Sequence, residues 1–152
     1  MATVWLDLVI FRHGEAESFV RRDDERELTN YGRSRVAEQA TLLAESGFKP
    51  TELVHSPYVR TTQTADICQT ILQASTMRSD NCLLHSAHPE QVPLLWGEST
   101  SLLLVSHMPL VGRLIQYLCP ESEIHGLPVA GFVRLKTDML SLKSELIYDG
   151  RC

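Results

Sequence analysis

Short apolar runs alternate with longer amphipathic segments along this chain. Two of the runs, Val4–Phe11 and Ser101–Ser106, are rich in leucine, valine and isoleucine, which is typical of strands buried on both faces of a sheet. Amphipathic stretches at Gly32–Ser46, Tyr58–Leu72 and Pro109–Leu118 predict helices. Because strands that alternate with helices pair through crossover connections, the sequence predicts an α/β three-layer sandwich with a mostly parallel central sheet flanked by helices.

The remaining predicted elements are short. They are strands at Glu52–His55 and, more weakly, Ser75–Leu84, a helix at Pro89–Trp96, and a closing pair of strands at Ala130–Leu135 and Leu142–Ile147. The sequence of 152 residues contains no repeat, low-complexity segment or linker. A chain of this length can bury enough surface to fold without disulfides or metal. We therefore expect residues 1–152 to form a single domain.

Composition argues against several classes of partner. The net charge is −5 and most basic residues are scattered arginines, which disfavours nucleic acid, because binding its backbone needs clustered lysine and arginine. The four cysteines show no paired spacing, which favours a reducing compartment. The run Val4–Phe11 is too short to span a bilayer and lacks a basic leader and a cleavage site. These features predict a cytoplasmic protein without a membrane segment, and they leave the oligomeric state open, a monomer included.

Three polar clusters follow predicted strands at the point where each strand ends. They are Arg12–Glu15, Ser56–Arg60 and Ser106–Pro109. Clusters about fifty residues apart converge if the strands are parallel, because ligands gather beyond the carboxyl ends of such strands. Together the clusters supply two arginines, two histidines and the amino ends of helices, which predicts a site for a tetrahedral oxyanion.

Each residue type in these clusters suits phosphoryl transfer. A neutral imidazole such as that of His13 attacks phosphorus without a base to remove a proton from the attacking nitrogen. The guanidinium groups of Arg12 and Arg60 match phosphoryl oxygens in geometry and stay charged. Gly14 is expected to let the backbone approach the ligand, where a Cβ atom would intrude. Taken singly, each of these residues has a structural explanation, so it is their joint occurrence that predicts the site.

Three motifs in order resemble the histidine phosphatase (phosphoglycerate mutase-like) superfamily. They are Arg-His-Gly after the first strand, Ser-Pro-x-x-Arg-x-x-Gln-Thr-Ala after the second, and a late Ser-His. Further details resemble the short bacterial phosphohistidine phosphatases, the SixA-like branch. These details are Arg12–Ala16, Arg26–Thr29 before Gly32, Ser106–Gly112 and Cys119–Glu121. The resemblance covers nearly the whole chain and implies a phosphoglycerate mutase-like fold.

The resemblance also implies roles for individual residues. His13 would be the nucleophile that becomes phosphohistidine, while Arg12, Arg60 and His107 would hold the phosphoryl oxygens. Three further residues are expected to bind the substrate, although the serine among them could equally form a turn. They are Gly14, Arg26 and Ser56.

One departure from the family concerns the general acid. Many relatives place a carboxylate soon after the third strand, where it protonates the leaving oxygen. Here the stretch reads Leu83-Leu84-His85, and no acid follows until Glu90, which is the candidate general acid. The SixA-like branch commonly lacks this acid in a clear form. A site without an acid suits phosphohistidine, whose departing imidazole is a weak base that needs no strong acid from the enzyme.

Two other groups of residues have simpler interpretations. Cys82, His85 and His88 are spaced by three, but a fourth ligand at a known zinc spacing is missing, so we expect no metal. The basic and acidic residues at 21–25 are interpreted as a solvated loop of mixed charge, with a surface for a protein partner as the weaker alternative.

The sequence therefore predicts a phosphatase that uses neither metal nor cofactor and acts through a covalent phospho-His13 intermediate hydrolysed by water. The expected substrate and partner is a protein phosphohistidine, such as that of a histidine phosphotransfer domain in a signalling relay. One alternative is a small-molecule phosphomonoesterase or mutase of the same superfamily, which would need an acid and a cover over the site. The other is a non-catalytic phosphoprotein-binding domain, against which the intact set of core residues counts.

Overall fold

Six strands form one sheet within residues 3–18 and 22–151, the parts of the chain that this computed structural model describes. The strands are β1 (Trp5–Arg12), β2 (Glu52–His55), β3 (Thr76–Ser79), β4 (Ser101–Ser106), β5 (Phe132–Asp138) and β6 (Ser144–Asp149). The helices are α1 (Asn30–Glu45), α2 (Val59–Leu72) and α3 (Leu110–Leu118), with short 3₁₀ segments at Asp23–Glu25, Asn81–Leu83 and Pro89–Leu95.

The sheet is parallel over four strands and antiparallel at one edge. Its order is β3-β2-β4-β1-β5-β6, in which β1 pairs with β4, β4 with β2 and β2 with β3 in parallel. The last two strands, β5 and β6, add to β1 as an antiparallel pair. In the central pair Arg12 lies opposite Ser106, so β1 and β4 end side by side. The same edge of the sheet therefore receives the residues that follow both strands.

Apolar layers cover both faces of the sheet. Leu8 and Ile10 of β1 pack in the cluster that contains α3, whereas Val9 and Phe11 pack in the cluster that contains α1 and α2. This explains why β1 is apolar along its length rather than alternating, since both of its faces are buried. The α/β architecture with helices on both faces confirms the predicted fold class.

The boundaries of several elements differ from the predicted ones for local reasons. Strands β5 and β6 each begin two residues later than predicted, because Ala130 (φ 59°) and Leu142 (φ 65°) adopt a left-handed conformation that a strand does not allow. The segment Pro89–Leu95 is 3₁₀ rather than α-helical and has Pro93 inside it, whose ring removes an amide donor. Within the described ranges, none of the helices has the length and apolar content to cross a bilayer.

Candidate active site

A pocket of about 420 Å³ lies at the carboxyl ends of β1 and β4. Arginines, histidines and carboxylates supply most of its lining. The lining residues are Arg12, His13, Glu15, Ala16, Asp23, Arg26, Arg60, His85, His107, Met108 and Val129. All four residues expected to act in catalysis, namely Arg12, His13, Arg60 and His107, are therefore brought together.

The sheet register and two loop contacts bring these residues to one place. The amide of His13 donates to the carbonyl of Ser106 at 3.1 Å, which sets the two strand ends beside each other. The rings of His13 and His107 lie 5.4 Å apart between centroids. The amide of Gly14 donates to the Thr64 hydroxyl at 3.1 Å, which holds the first turns of α2 against the loop after β1. Arg60, in the first turn of α2, thereby points into the pocket.

His13 presents a lone pair rather than a hydrogen at Nε2. Its Nδ1 lies 2.7 Å from the carbonyl oxygen of Gly14, a group that only accepts, so Nδ1 carries the hydrogen. Nε2 therefore carries no hydrogen, and its lone pair accepts a hydrogen bond from the Nε–H of Arg60 at 3.4 Å. Burial lowers the pKa of His13 to about 4, helped by the charges of Arg60 and Arg12 and opposed by the Gly14 carbonyl. The ring is thus neutral near pH 7 and able to act as a nucleophile.

The two pocket arginines are held by backbone carbonyls on one side. Arg12 donates from Nη1 to the carbonyl of Leu127 at 2.8 Å, and Arg60 donates from Nη1 to the carbonyl of Asp23 at 2.6 Å. Burial and the neighbouring Arg60 charge lower the pKa of Arg12. Two guanidinium groups that line the same pocket favour a bound anion, which would offset their repulsion.

His107 is buried, and one of its ring nitrogens has a hydrogen-bond partner while the other has none among the described residues. Its Nε2 lies 2.7 Å from the hydroxyl of Ser56, and that hydroxyl accepts from the amide of Tyr58 at 3.4 Å. Among the described residues, Nε2 of His107 is the acceptor within reach of the buried Ser56 hydroxyl, so the hydroxyl hydrogen points at Nε2 and the ring hydrogen lies on Nδ1. Burial, followed by the charges of His13 and Arg60, lowers the pKa of His107 to about 2.

Two buried nitrogens of the pocket residues lack a hydrogen-bond partner among the described residues. They are Nδ1 of His107 and Nε of Arg12. Buried donors are almost always satisfied, so an unpartnered pair at one pocket indicates a ligand that accepts hydrogen bonds. The oxygens of a phosphoryl group have that property.

Two of the residues expected to bind substrate do not line the pocket. Ser56 is fully buried and contacts His107 instead. The space at Gly14 is taken by α1 and not by a ligand: a Cβ atom there would lie 2.7 Å from Cγ2 of Val36 and 2.9 Å from the carbonyl oxygen of Gly32. The expectation that Gly14 makes room for a ligand is thus wrong, and the residue instead allows close packing and supplies the carbonyl that orients His13.

Arg26 lines the pocket, as expected, and Asp23 does so against expectation. Arg26 donates to the carbonyl of Glu17 at 2.7 Å and to a carboxylate oxygen of Asp23 at 2.9 Å. The other oxygen of Asp23 lies 3.4 Å from Nη2 of Arg60. Burial opposes ionisation of Asp23, but hydrogen bonds and charges from Arg26 and Arg60 outweigh it and lower the pKa. The described part of the 21–25 stretch is therefore not simply a solvated loop, since Asp23 faces the site; Arg21 lies outside the described residues.

The candidate acid Glu90 is not among the pocket residues. Its side chain is 58% exposed and lies 3.9 Å from Nδ1 of His88, which is 70% exposed. Cys82, which the sequence analysis grouped with His85 and His88 as a possible zinc site, donates a hydrogen bond from its amide to the carboxylate of Asp80. No group of three or more histidine, cysteine or acidic side chains in the described ranges is arranged to hold a metal ion.

Three further residues of the site have no role in the sequence-based prediction. His85 lines the pocket, Tyr58 packs edge-on against the His107 ring, and Glu15 lies on the pocket wall. Glu15, which belongs to the predicted cluster after β1, and Asp23 add two carboxylates to the pocket lining, where the sequence showed no evident general acid. A signal for His85 existed, because it stands where relatives carry an acid. No sequence feature indicates that Asp23 lines the pocket, because its position depends on how the loop folds over α2.

Comparison with known proteins agrees with this geometry. The family model of the histidine phosphatase superfamily (branch 1) matches residues 8–83, half of the chain, and the chain belongs to that superfamily. It is a hydrolase, a metal-independent phosphatase of the superfamily. A comparison with curated proteins gives no match.

Solved structures share the fold over nearly their whole length. The protein histidine phosphatase SixA, in a complex with tungstate, has a TM-score of 0.89 at 23% identity, covering 96% of this chain and 97% of that one. A protein assigned as phosphohistidine phosphatase SixA from Agrobacterium tumefaciens has a TM-score of 0.82 at 22% identity, covering 95% and 96%. A mycobacterial glucosyl-3-phosphoglycerate phosphatase has a TM-score of 0.74 at 17% identity, covering 97% and 100%. These similarities establish the phosphoglycerate mutase-like fold.

Proposed function

We propose that this chain is a phosphohistidine phosphatase, which takes the phosphoryl group of a protein phosphohistidine onto His13 and then transfers it to water. The observation that carries the proposal is the bare Nε2 of His13. Nδ1 donates to the Gly14 carbonyl, so Nε2 keeps its lone pair in a pocket that also contains Arg12, Arg60 and His107.

The tautomer of His13 allows both steps without removing a proton from the nucleophile. In the first step Nε2 attacks phosphorus and the bond between phosphorus and the substrate nitrogen breaks. The His13 ring keeps its Nδ1 hydrogen and becomes positively charged, and the Gly14 carbonyl stabilises that charge through its 2.7 Å hydrogen bond. In the second step water attacks phosphorus, the bond to Nε2 breaks, and His13 returns to its neutral form.

The surrounding donors stabilise the charge that is transferred. In phosphoryl transfer the negative charge is spread over three oxygens, and fixed donors aimed at them supply most of the catalysis. Arg12 and Arg60 provide guanidinium hydrogens, and His107 provides an Nδ1–H. Nε of Arg12 and Nδ1 of His107 have no partner among the described residues, so binding the phosphoryl group would break no hydrogen bond there.

Similarity to SixA proteins supports phosphohistidine as the substrate class. The SixA structures have TM-scores of 0.82 to 0.89, higher than the 0.74 of the glucosyl-3-phosphoglycerate phosphatase. The leaving group supports the same choice. Protonated phosphohistidine expels a neutral imidazole, which is a far weaker base than the alkoxide that an alkyl ester must expel.

A second candidate function is hydrolysis of small phosphate esters. The observation in its favour is that the carboxylates of Glu15 and Asp23 line the pocket. Asp23 is held as a carboxylate by Arg26 and Arg60, which lower its pKa, so it is not a ready proton donor to an ester oxygen. We favour phosphohistidine over esters because its leaving group, a neutral imidazole, is a much weaker base than an alkoxide.

A hydrolysis panel tests the proposal. A phosphohistidine-bearing phosphotransfer domain, phosphoramidate, an aryl phosphate and a sugar phosphate are compared at equal concentration, with His13→Ala as the inactive control. We expect the N-phosphoryl substrates to be hydrolysed fastest, the aryl phosphate next and the sugar phosphate slowest. Comparable rates on phosphohistidine and the sugar phosphate would favour the small-molecule enzyme, and phosphate binding without turnover of the N-phosphoryl substrates would contradict the proposal.

The proposal extends to the setting in which the enzyme works. A protein phosphohistidine as substrate, with a histidine phosphotransfer domain as the expected partner, places the chain in a signalling relay. The proposed location is the cytoplasm, which agrees with cysteines that show no disulfide framework in the sequence. We propose the same single-domain organisation over residues 1–152 that the sequence predicts.

A further inference from the structure

His85 lies in the pocket and has no role in the steps described so far. It follows the 3₁₀ segment Asn81–Leu83 after β3, and its side chain is one of the pocket-lining groups. Its ring packs edge-on against the His107 ring, with centroids 5.9 Å apart, and against the Tyr58 ring at 5.7 Å. An imidazole at a phosphate pocket is a group that can give and take a proton near neutral pH.

We propose that His85 is the catalytic acid and base of this site: it protonates the leaving group when phospho-His13 forms, and removes a proton from water when phospho-His13 is hydrolysed. The inference rests on the proposed function, because it assigns the proton transfers of that same reaction. It also gives the site a proton donor where the sequence offered only Glu90.

Tyr58 orients the His85 ring for this role. The Tyr58 hydroxyl lies 3.3 Å from Nε2 of His85, so one ring nitrogen is engaged by a fixed neighbour. Nδ1 has no hydrogen-bond partner in the described part of the chain and is the nitrogen left for a ligand. When the Nε2–H of His85 donates to the Tyr58 oxygen, Nδ1 can gain or lose a proton while the ring stays in the same position.

The proton transfers balance over the two steps. In the first, the phosphorus–substrate bond breaks as the phosphorus–Nε2 bond of His13 forms, and the Nδ1 proton of cationic His85 passes to the departing oxygen of an ester, or to the departing nitrogen of a phosphohistidine whose ring is not already protonated. His85 is then neutral. In the second, Nδ1 of His85 takes a proton from the attacking water, the phosphorus–His13 bond breaks, and both histidines return to their starting states. The net reaction consumes one water and releases phosphate.

Charged groups of both signs line the pocket beside His85. They include the carboxylate of Asp23 and the arginines at 12, 26 and 60. The nearest titratable rings are His107, which burial keeps neutral, and Tyr58, which is the hydrogen-bond partner. Glu15 lies on the same pocket wall.

The other acids near the site are engaged elsewhere. Asp23 is paired with Arg26 and Arg60, and Glu15 accepts a hydrogen bond from the Thr29 hydroxyl at 2.8 Å. Glu90 lies outside the pocket lining beside His88. Nδ1 of His107 and Nε of Arg12 are assigned to the phosphoryl oxygens, so the unpartnered Nδ1 of His85 is left for proton transfer.

The test uses the rate of phosphoenzyme formation on two substrates with different leaving groups. Wild type and His85→Gln are mixed with 4-nitrophenyl phosphate, a good leaving group, or phenyl phosphate, a poorer one, and quenched in a rapid-mixing device. We expect His85→Gln to lower the rate on phenyl phosphate by about 100-fold, the low end for loss of a general acid, and the rate on 4-nitrophenyl phosphate by less than about tenfold. We also expect phospho-His13 to accumulate in the variant with 4-nitrophenyl phosphate, because its hydrolysis lacks the base.

Two matched controls isolate the residue. His88→Gln removes an exposed histidine three positions away, and Glu90→Gln removes the acid that the sequence suggested; both should match wild type. An equal loss on both substrates in His85→Gln, without accumulation of phosphoenzyme, would overturn the proposal, as would a selective loss in Glu90→Gln. If wild type proves inactive on protein phosphohistidine while the leaving-group effect is present, the substrate class fails and the role of His85 stands.

Discussion

Two histidines in the pocket carry their hydrogen on the same nitrogen for opposite reasons. In His13, Nδ1 donates to a carbonyl, which leaves Nε2 bare for attack on phosphorus. In His107, Nε2 faces the Ser56 hydroxyl, which leaves an Nδ1–H for the phosphoryl oxygens. Burial keeps both rings neutral by lowering each pKa, to about 4 and about 2. A single hydrogen bond therefore fixes the tautomer of the nucleophile, His13, and another fixes the tautomer of His107.

Ser56→Ala should weaken catalysis through the tautomer of His107. Without the hydroxyl, the His107 hydrogen is no longer confined to Nδ1, and we expect kcat to fall about tenfold with little change in KM, since one hydrogen bond is worth about 1 kcal/mol. Nitrogen NMR of the His107 ring measures the tautomer directly. An unchanged tautomer in Ser56→Ala would contradict this role, whatever the activity.

Arg12→Ala and Arg60→Ala should each lower kcat about a hundredfold, because each removes donors that strengthen as charge develops on the phosphoryl oxygens. Arg22→Ala is the matched control, since Arg22 is 74% exposed and pairs with Asp24. Steady-state kinetics separates kcat from KM. An increase in KM alone would mean that these arginines bind substrate without stabilising the transition state.

At the scale of elements, the sequence predicts the strands that carry the site better than the loops that complete it. The strand β2 and the ends of β1 and β4 follow from local apolar patterns, and parallel pairing then brings the clusters that follow them together. The loop around Asp23 could not be predicted, because its place depends on a tertiary contact between the Asp23 carbonyl and Arg60. The turn that brings in His85 depends similarly on Asp80, whose carboxylate accepts from the Cys82 amide and ends β3.

Gly14→Ala should destabilise the junction between β1 and α1. The added methyl group would meet Cγ2 of Val36 and the Gly32 carbonyl, and overpacking of this kind costs about 1 to 3 kcal/mol. Urea unfolding measures the loss, and adding Val36→Ala should restore part of it by removing one of the two contacts. A stable Gly14→Ala with weakened phosphate binding would instead return Gly14 to the ligand-binding role that the sequence suggested.

At the scale of the whole molecule, function and stability are coupled through the buried histidines. The unfolded chain binds protons on these rings near pH 6.5, whereas the folded chain does so only near pH 4 for His13 and pH 2 for His107. The unfolded state therefore binds more protons as the pH falls below about 6.5, and the free energy of unfolding decreases in that direction. The two buried neutral rings that catalysis needs therefore lower the free energy of unfolding at acidic pH.

His107→Asn should reduce this dependence on pH. Between pH 7 and pH 4.5 we expect wild type to lose about 2 kcal/mol more of its unfolding free energy than the variant, which has one buried histidine fewer. Carboxylates contribute equally to both proteins, so the difference isolates the ring. Parallel loss in the two proteins would contradict the lowered pKa of His107.

The central claim is that His13 itself carries the phosphoryl group. Wild type and His13→Ala are incubated briefly with a ³²P-labelled phosphohistidine protein, quenched, and the enzyme is digested and mapped. The account predicts label on wild type that is lost in acid and kept in base, located on His13, and no label on His13→Ala. Label on another residue, or full activity in His13→Ala, would contradict it.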